Sequence, residues 1–221
     1  MYDLKSKSGK QWFYPEKVKE HFFNPKNLVK TKQESKKLDK EADGIGIEGS
    51  PACGDMMKMW IKIKNNRIKQ CKWSTFGCAS AIASTSMFSV MITEKNGKTI
   101  EQALKIKPQE ISKRLGGLPA IKFHCSVLAD KALRSAINDY YKKTNQINKI
   151  QENKIKIIDK ILKITDKDIE EAVLEGVKTF EDLQKRTKIG IQDKTCIPEA
   201  KQLLRFYLEK HFTPLKKTKR L

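Results

Sequence analysis

The stretch Met57–Lys64, MKMWIKIK, decides the fold. It alternates strictly: Met57, Met59, Ile61 and Ile63 share one side, while Lys58, Trp60, Lys62 and Lys64 share the other. A period of two with one apolar face is the pattern of a half-buried β-strand. Asn65-Asn66 follows as a tight turn, and Ile68 to Phe76 returns as the second arm of a hairpin. Upstream, Gly44, Gly46 and Gly49 space a short strand or turn leading into GSPACGDMMK (49–58), which places a thiol at Cys53 and a carboxylate at Asp55 with one glycine between. Downstream, the hairpin runs into Phe76-Gly77-Cys78.

Outward from the hairpin the pattern changes to helices. Pro15-Glu16 with Val18 and Phe22 predicts a short helix ended by Asn24-Pro25. The Lys/Glu-rich segment from Lys30 to Asp43 shows little periodicity and reads as an exposed loop. Ala79 to Glu94 reads as a helix packed closely through its Ala and Ser residues. Thr99-Ile100-Glu101-Gln102 is a capping-box signature, and Pro108 opens a further helix. His124-Cys125 opens a long helix to about Lys142, with Leu128, Ala132, Leu133, Ala136 and Ile137 on one face. Thr144 to Lys154 is polar and reads as a linker. Beyond it, Thr165, Thr179 and Pro198 start three helices of a small helical domain, with stops at Gly176 and Gly190. The fold class is therefore α+β: a small antiparallel sheet with helices packed on one face, followed by a small all-α domain. The boundaries expected are 1–143 for the first domain, 144–160 for the linker and 161–221 for the second domain.

The chain has 221 residues and a formal net charge of +20, from 46 Lys+Arg against 26 Asp+Glu. Lysines recur almost everywhere instead of gathering with aromatics on one stripe, so the charge reads as solvated faces and not as a nucleic-acid surface. It favours acidic protein partners. No apolar run reaches roughly 18 residues, and the N-terminal stretch lacks the apolar core of a secretion signal. Neither a membrane span nor export is expected. Five cysteines in such a chain read as thiols in a reducing, cytoplasmic setting.

Cys53, Asp55, Cys78, His124 and Cys125 all sit at junctions between loops and regular elements. Thiolate, imidazole and carboxylate together suit a thiophilic metal, but without paired C-x-x-C knuckles they do not form a closed structural zinc site. Such a set suits temporary holding. Cys78 and Cys125 lie near helix starts, where the dipole and free amides favour the thiolate. Two readings remain open on spacing alone: a metal or sulfur site, or scattered core cysteines with a capping Asp. Cys71, within the hairpin near Trp73, reads as structural.

Several segments, in order, resemble a known family. YPEKVKEHF (14–22) with NPKN (24–27), CGD (53–55), TFGCASAIAS (75–84) and LPAIKFHCS (118–126) are similar to iron–sulfur cluster assembly scaffolds of the NifU/IscU type, over roughly residues 12–143. The resemblance implies a scaffold, not an enzyme in the turnover sense. On it a cysteine desulfurase delivers sulfur, iron is added, and a transient 2Fe-2S cluster is built for transfer to apo iron–sulfur proteins, with a ferredoxin-type electron donor as a further partner. It implies Cys53, Cys78 and Cys125 as cluster thiolates and Cys125 as the persulfide acceptor. Asp55 would bind iron or zinc and keep the cluster labile, and His124 would be a metal ligand in some states. Zinc is expected in the protein as isolated. Tyr14 is expected to mediate self-association into a homodimer. The family's chaperone motif Leu-Pro-Pro-Val-Lys reads here as Leu118-Pro119-Ala120-Ile121-Lys122.

The C-terminal part is similar, more weakly, to the bacterioferritin-associated-ferredoxin-like domain that follows in NifU. That domain holds a permanent 2Fe-2S cluster through C-x-C and C-x-x-C pairs. Here only Cys196 stands, about where the last cysteine belongs, so a degenerate domain serving as a docking or dimerisation surface is expected. Rival functions are a zinc-binding regulator of the desulfurase that builds no cluster, a nucleic-acid binder, and a hydrolytic zinc enzyme, for which no general base is evident.

Overall fold

The computed structural model describes residues 14–50, 55–118, 124–150 and 155–212. It divides into two compact units, one comprising the first part of the chain through Ile150 and one its C-terminal part.

The first unit is built on a three-stranded antiparallel sheet in the order β1 (Gly44–Ser50), β2 (Asp55–Lys64), β3 (Arg67–Thr75). Asn65 and Asn66 have φ of 53° and 57°. That left-handed pair is what a two-residue hairpin turn needs to match the strand twist, and Asn tolerates it. Met57, Met59 and Ile61 are fully buried, as the alternation requires. They pack with Ile68, Cys71 and Trp73 from β3 and with the helices α3 (Ala79–Thr93) and α6 (His124–Lys143) in one core.

Two features depart from the sequence reading. The Lys30 to Asp43 segment is not a loop: it contains helix α2, Lys32–Glu41, capped by Thr31, whose hydroxyl accepts from the Glu34 amide at 3.1 Å. Periodicity missed it because Leu38 is its only buried residue. Lys and Glu are nonetheless good helix formers, so a cap and one anchor suffice. Trp60 is also buried, although it points to the lysine side of β2. Helix α2 covers it there: Trp60 packs with Val29 and Leu38, and its indole N–H donates to Asp39 at 2.7 Å. The main helical layer thus lies on one face of the sheet, and α2 adds a small lid on the other. Lys58, 2.6 Å from Asp39, lowers that carboxyl's pKa, helped by the Trp60 hydrogen bond.

Helix α3 is buried nearly all round, including Ser80, Ser84, Thr85, Ser86 and Ser89. Buried hydroxyls need partners: Thr85 donates to the Ala81 carbonyl of its own helix, while Ser80, Ser86 and Ser89 bind the N-terminal segment. Ser86 meets His21 Nδ1 at 2.7 Å and accepts from the Lys26 amide at 2.8 Å, while Ser89 accepts from Asn27 at 3.0 Å. Helix α1 (Glu16–Phe23) is fastened to α3 by this polar seam. The short helices α4 (Ile100–Leu104), which carries the capping box Thr99/Gln102, and α5 (Pro108–Arg114) complete the unit.

The second unit is mostly helical: α7 (Asp166–Leu174), α8 (Phe180–Thr187) and α9 (Ile197–Phe212) surround their own core of Ile169, Val173, Leu183, Ala200 and Leu204. It is not purely α. β4 (Ile157–Asp159) and β5 (Ile164–Thr165) form a two-stranded antiparallel pair just ahead of α7. Strands this short lie below the length at which alternation can be read. The span 144–160 holds a 3-10 turn over Ile147–Lys149, and its last residues already belong to β4.

Candidate functional site

Two of the expected site residues meet at one end of the sheet. Asp55 opens β2 and is buried, 7% exposed. Cys78 occupies the N-cap position of α3, and its backbone N–H donates to Asp55 Oδ2 at 3.4 Å. The connection between them is fixed by Thr75, the last residue of β3. Its hydroxyl donates to the Met56 carbonyl at 2.6 Å and accepts from the Gly77 amide at 3.0 Å. Gly77 is required by space. A Cβ there would lie 2.8 Å from the Ala81 Cβ and 3.1 Å from Asp55 Oδ2, crowding the carboxylate that the Cys78 amide reaches. At the second residue of α3, Ser80 meets the Tyr14 hydroxyl at 3.0 Å, so in this structure Tyr14 is engaged within its own chain.

Helix α6 is aimed at the same end of the sheet. It lies so close to β1 that a Cβ on Gly46 would come within 2.1 Å of the Ala132 carbonyl oxygen, and one on Gly44 within 2.2 Å of that of Ala136. Two residues forward on β1 therefore correspond to one turn backward on α6, so the two run antiparallel. Four strand residues from Gly46 to Ser50 span about 13 Å, and seven helical residues from Ala132 back to Cys125 span about 10 Å. Ser50 pairs with Asp55 across the sheet. The backbone start of α6, where His124 and Cys125 stand, is thus level with the Asp55 end of β2 to within about one helical turn.

Cys53 lies outside the described residues, in the connection from β1 to β2, and so do the side chains of His124 and Cys125 and the Pro119–Lys122 part of the altered motif. Among the described residues no group of three or more His, Cys, Asp and Glu is close enough to hold a metal ion. Cys71 is different in kind. It is fully buried on β3 opposite Ile61, and burial pushes its thiol up to about 12, which suits a packing residue. The sequence reading missed Thr75 as a site residue. Its signal was only its place, two before Gly77, where a hydroxyl can reach back over a turn.

Exposed apolar side chains flank this end: Phe76 at 84%, Met56 at 45% and Ile47 at 55% exposed. Asp55 and the Cys78 backbone thus meet at this end of the sheet beside an exposed apolar rim.

Residues 13–147 match the NifU-like N terminal domain, and the chain belongs to that family. Its relatives include the iron-sulfur cluster assembly scaffold protein IscU 1 of Archaeoglobus fulgidus, 50% identical over 139 residues, which are 63% of this chain and 84% of that protein. The scaffold protein IscU of Rickettsia prowazekii is 43% identical over 131 residues, 59% of this chain and 93% of its own. Among solved structures, the N-terminal part of a NifU-like protein from Brucella abortus is similar at a TM-score of 0.42 and 16% identity, covering 58% of this chain and 94% of that one.

Residues 162–205 match the BFD-like 2Fe-2S binding domain. The residues present do not fit such a group. Cys196 is the only cysteine after Cys125, whereas a cluster of that type needs four ligands. Cys196 is also buried, with Sγ 3.0 Å from the Asp193 carbonyl oxygen, and burial followed by the charges of Asp159 and Asp193 raises its pKa.

Proposed function

We propose that this chain is an iron–sulfur cluster assembly scaffold, a platform and not a turnover enzyme. In this reading Cys53, Cys78 and Cys125 are the cluster thiolates, with Asp55 as the oxygen ligand and His124 as an alternative metal ligand. The observation that carries it is the Asp55–Cys78 pair, a carboxylate and a cysteine backbone amide 3.4 Å apart at the sheet end. The names of the IscU relatives and membership of the NifU-like family support the same reading.

The chemistry follows from the donor types. A cysteine desulfurase carries sulfur as a persulfide. Attack by the Cys125 thiolate on its outer sulfur forms a new S–S bond on Cys125 and frees the enzyme's thiolate. Each such sulfur needs two electrons to become sulfide; of the four that two sulfides take, two come from the two ferrous ions as they become ferric and two from a ferredoxin-type donor. With ferrous iron, two sulfides give the 2Fe-2S cargo. A carboxylate holds iron less tightly than a thiolate does, so Asp55 leaves one corner of the cargo easy to release to apo iron–sulfur proteins. Zinc would occupy the same donors when iron is absent. A reducing compartment such as the cytoplasm suits free thiols. No helix among the described residues is long and apolar enough to cross a membrane.

The test is anaerobic assembly with a cysteine desulfurase, cysteine, ferrous iron and a reductant. Visible cluster absorption should develop, fail after Cys53→Ala or Cys78→Ala, and persist longer on Asp55→Ala. Transfer to an apo-ferredoxin separates a scaffold from a zinc-binding regulator. Protein that tunes the desulfurase yet never yields a transferable cluster would overturn the proposal.

A further inference from the structure

The second unit contains a carboxylate where its family relationship leads one to look for an inorganic cluster. Asp159, at the end of β4, is completely buried. Its Oδ1 accepts from the amides of Ile161 at 3.0 Å and Leu162 at 2.9 Å, closing the β4–β5 turn. Its Oδ2 accepts from the Gly190 amide at 3.0 Å and faces Cys196 Sγ at 3.8 Å, both in the segment between α8 and α9. One side chain thus ties together two loops 31 and 37 residues apart in sequence. In the same segment, Thr195 bonds the Asp193 carboxylate and is the first cause of its lowered pKa.

A buried carboxylate is costly unless its lone pairs are met, and three backbone N–H groups meet these, with the Cys196 sulfur packed beside them at 3.8 Å. The loops joined are those on which Asp159 and Ile161 stand two apart and Asp193 and Cys196 three apart, the spacings of a C-x-C and a C-x-x-C pair. We propose that the Asp159–Cys196 contact takes over the structural task of a 2Fe-2S cluster, so that this unit is a cofactor-free module closed by a buried carboxylate. In that state the two loops are held without iron, sulfide or an oxidation state, and the unit keeps its shape while the first unit loads and unloads cargo.

The experiment uses the full chain in two forms. In the first, Cys53, Cys78 and Cys125 are all changed to Ala and the protein is reconstituted with ferrous iron and sulfide. It should bind no cluster by iron and sulfide analysis, and adding Asp159→Cys, Ile161→Cys and Asp193→Cys should create binding of two irons and two sulfides. In the second, Asp159→Asn, which keeps the shape but turns an acceptor into a donor, should cost at least tenfold in amide exchange protection at Ile161, Leu162 and Gly190. Protection in α3 should be unchanged. A cluster on the triple-Ala protein, no cluster on the four-cysteine version, or undiminished protection in Asp159→Asn would each overturn the proposal. None of these outcomes depends on whether the first unit assembles clusters.

Discussion

Replacing Gly46 with alanine tests how α6 is placed. The added Cβ would stand 2.1 Å from the Ala132 carbonyl oxygen and 2.5 Å from the Ala136 nitrogen. Both are backbone atoms inside a 20-residue helix, so no side chain can swing aside. Ordinary contact begins near 3.4 Å, so α6 would have to lift by about 1.3 Å along its contact with β1. Lifting it opens the packing of Ala129, Ala132, Leu133 and Ala136, all fully buried. Overpacking costs about 1–3 kcal/mol, and a backbone obstruction belongs at the upper end, about 3 kcal/mol. For a unit of this size that lowers the melting temperature by about 6–12 °C. Gly49→Ala on the same strand is the control, because its Cβ would meet only the Asp55 carbonyl at 3.8 Å. It should change stability by less than about 0.5 kcal/mol. Calorimetry of the full chain reads both, and anaerobic assembly reads the consequence, since a lifted α6 moves the Cys125 end away from Asp55. If Gly46→Ala melts within 2 °C of Gly49→Ala, the close contact between β1 and α6 does not position that helix.

Further outcomes follow from other parts of the structure. Burial lowers the His21 pKa below 6.5, opposed by Glu20 and reinforced by Lys26, Arg114 and Lys17. Stability is therefore full above the unfolded value and falls as pH drops below it, because the unfolded chain takes up a proton that the folded one resists. Urea unfolding between about pH 7.5 and 5.5 should show this fall, and His21→Gln should flatten it. Thr75→Val keeps the shape but removes the link from Met56 to Gly77. Cluster on that variant should be lost faster than on wild type, and Thr75→Ser should restore its lifetime, read by the decay of visible absorption. Cys71→Ala should leave cluster yield unchanged while costing about 1 kcal/mol in stability. In the second unit, Glu170 accepts from Lys210 at 2.7 Å and from His211 at 2.9 Å, so Glu170→Gln should lose about 1.5–3 kcal/mol in denaturant unfolding.

The hairpin was legible in the sequence because a strand's side chains alternate with a fixed period. Eight residues from Met57 state which face is buried, and Asn65-Asn66 states where the chain turns. Caps at Thr99, Thr165 and Thr179 were equally legible, since each is a bond between residues three apart. Cys78 and Asp55 could be named as candidate ligands from their chemistry and from the resemblance of the motifs around them. Their proximity could not be read, because it depends on the β2–β3 register that sets Met57 opposite Thr75 and on Thr75 folding the turn back. The anchoring of helix α2 on the sheet through Leu38, the burial of Trp60 and the Asp159 tie were decided by tertiary structure alone. Each rests on a contact between distant segments, and such contacts leave no period in the chain: a single leucine, a single indole and a single carboxylate acquire their roles only from what the fold lays over them.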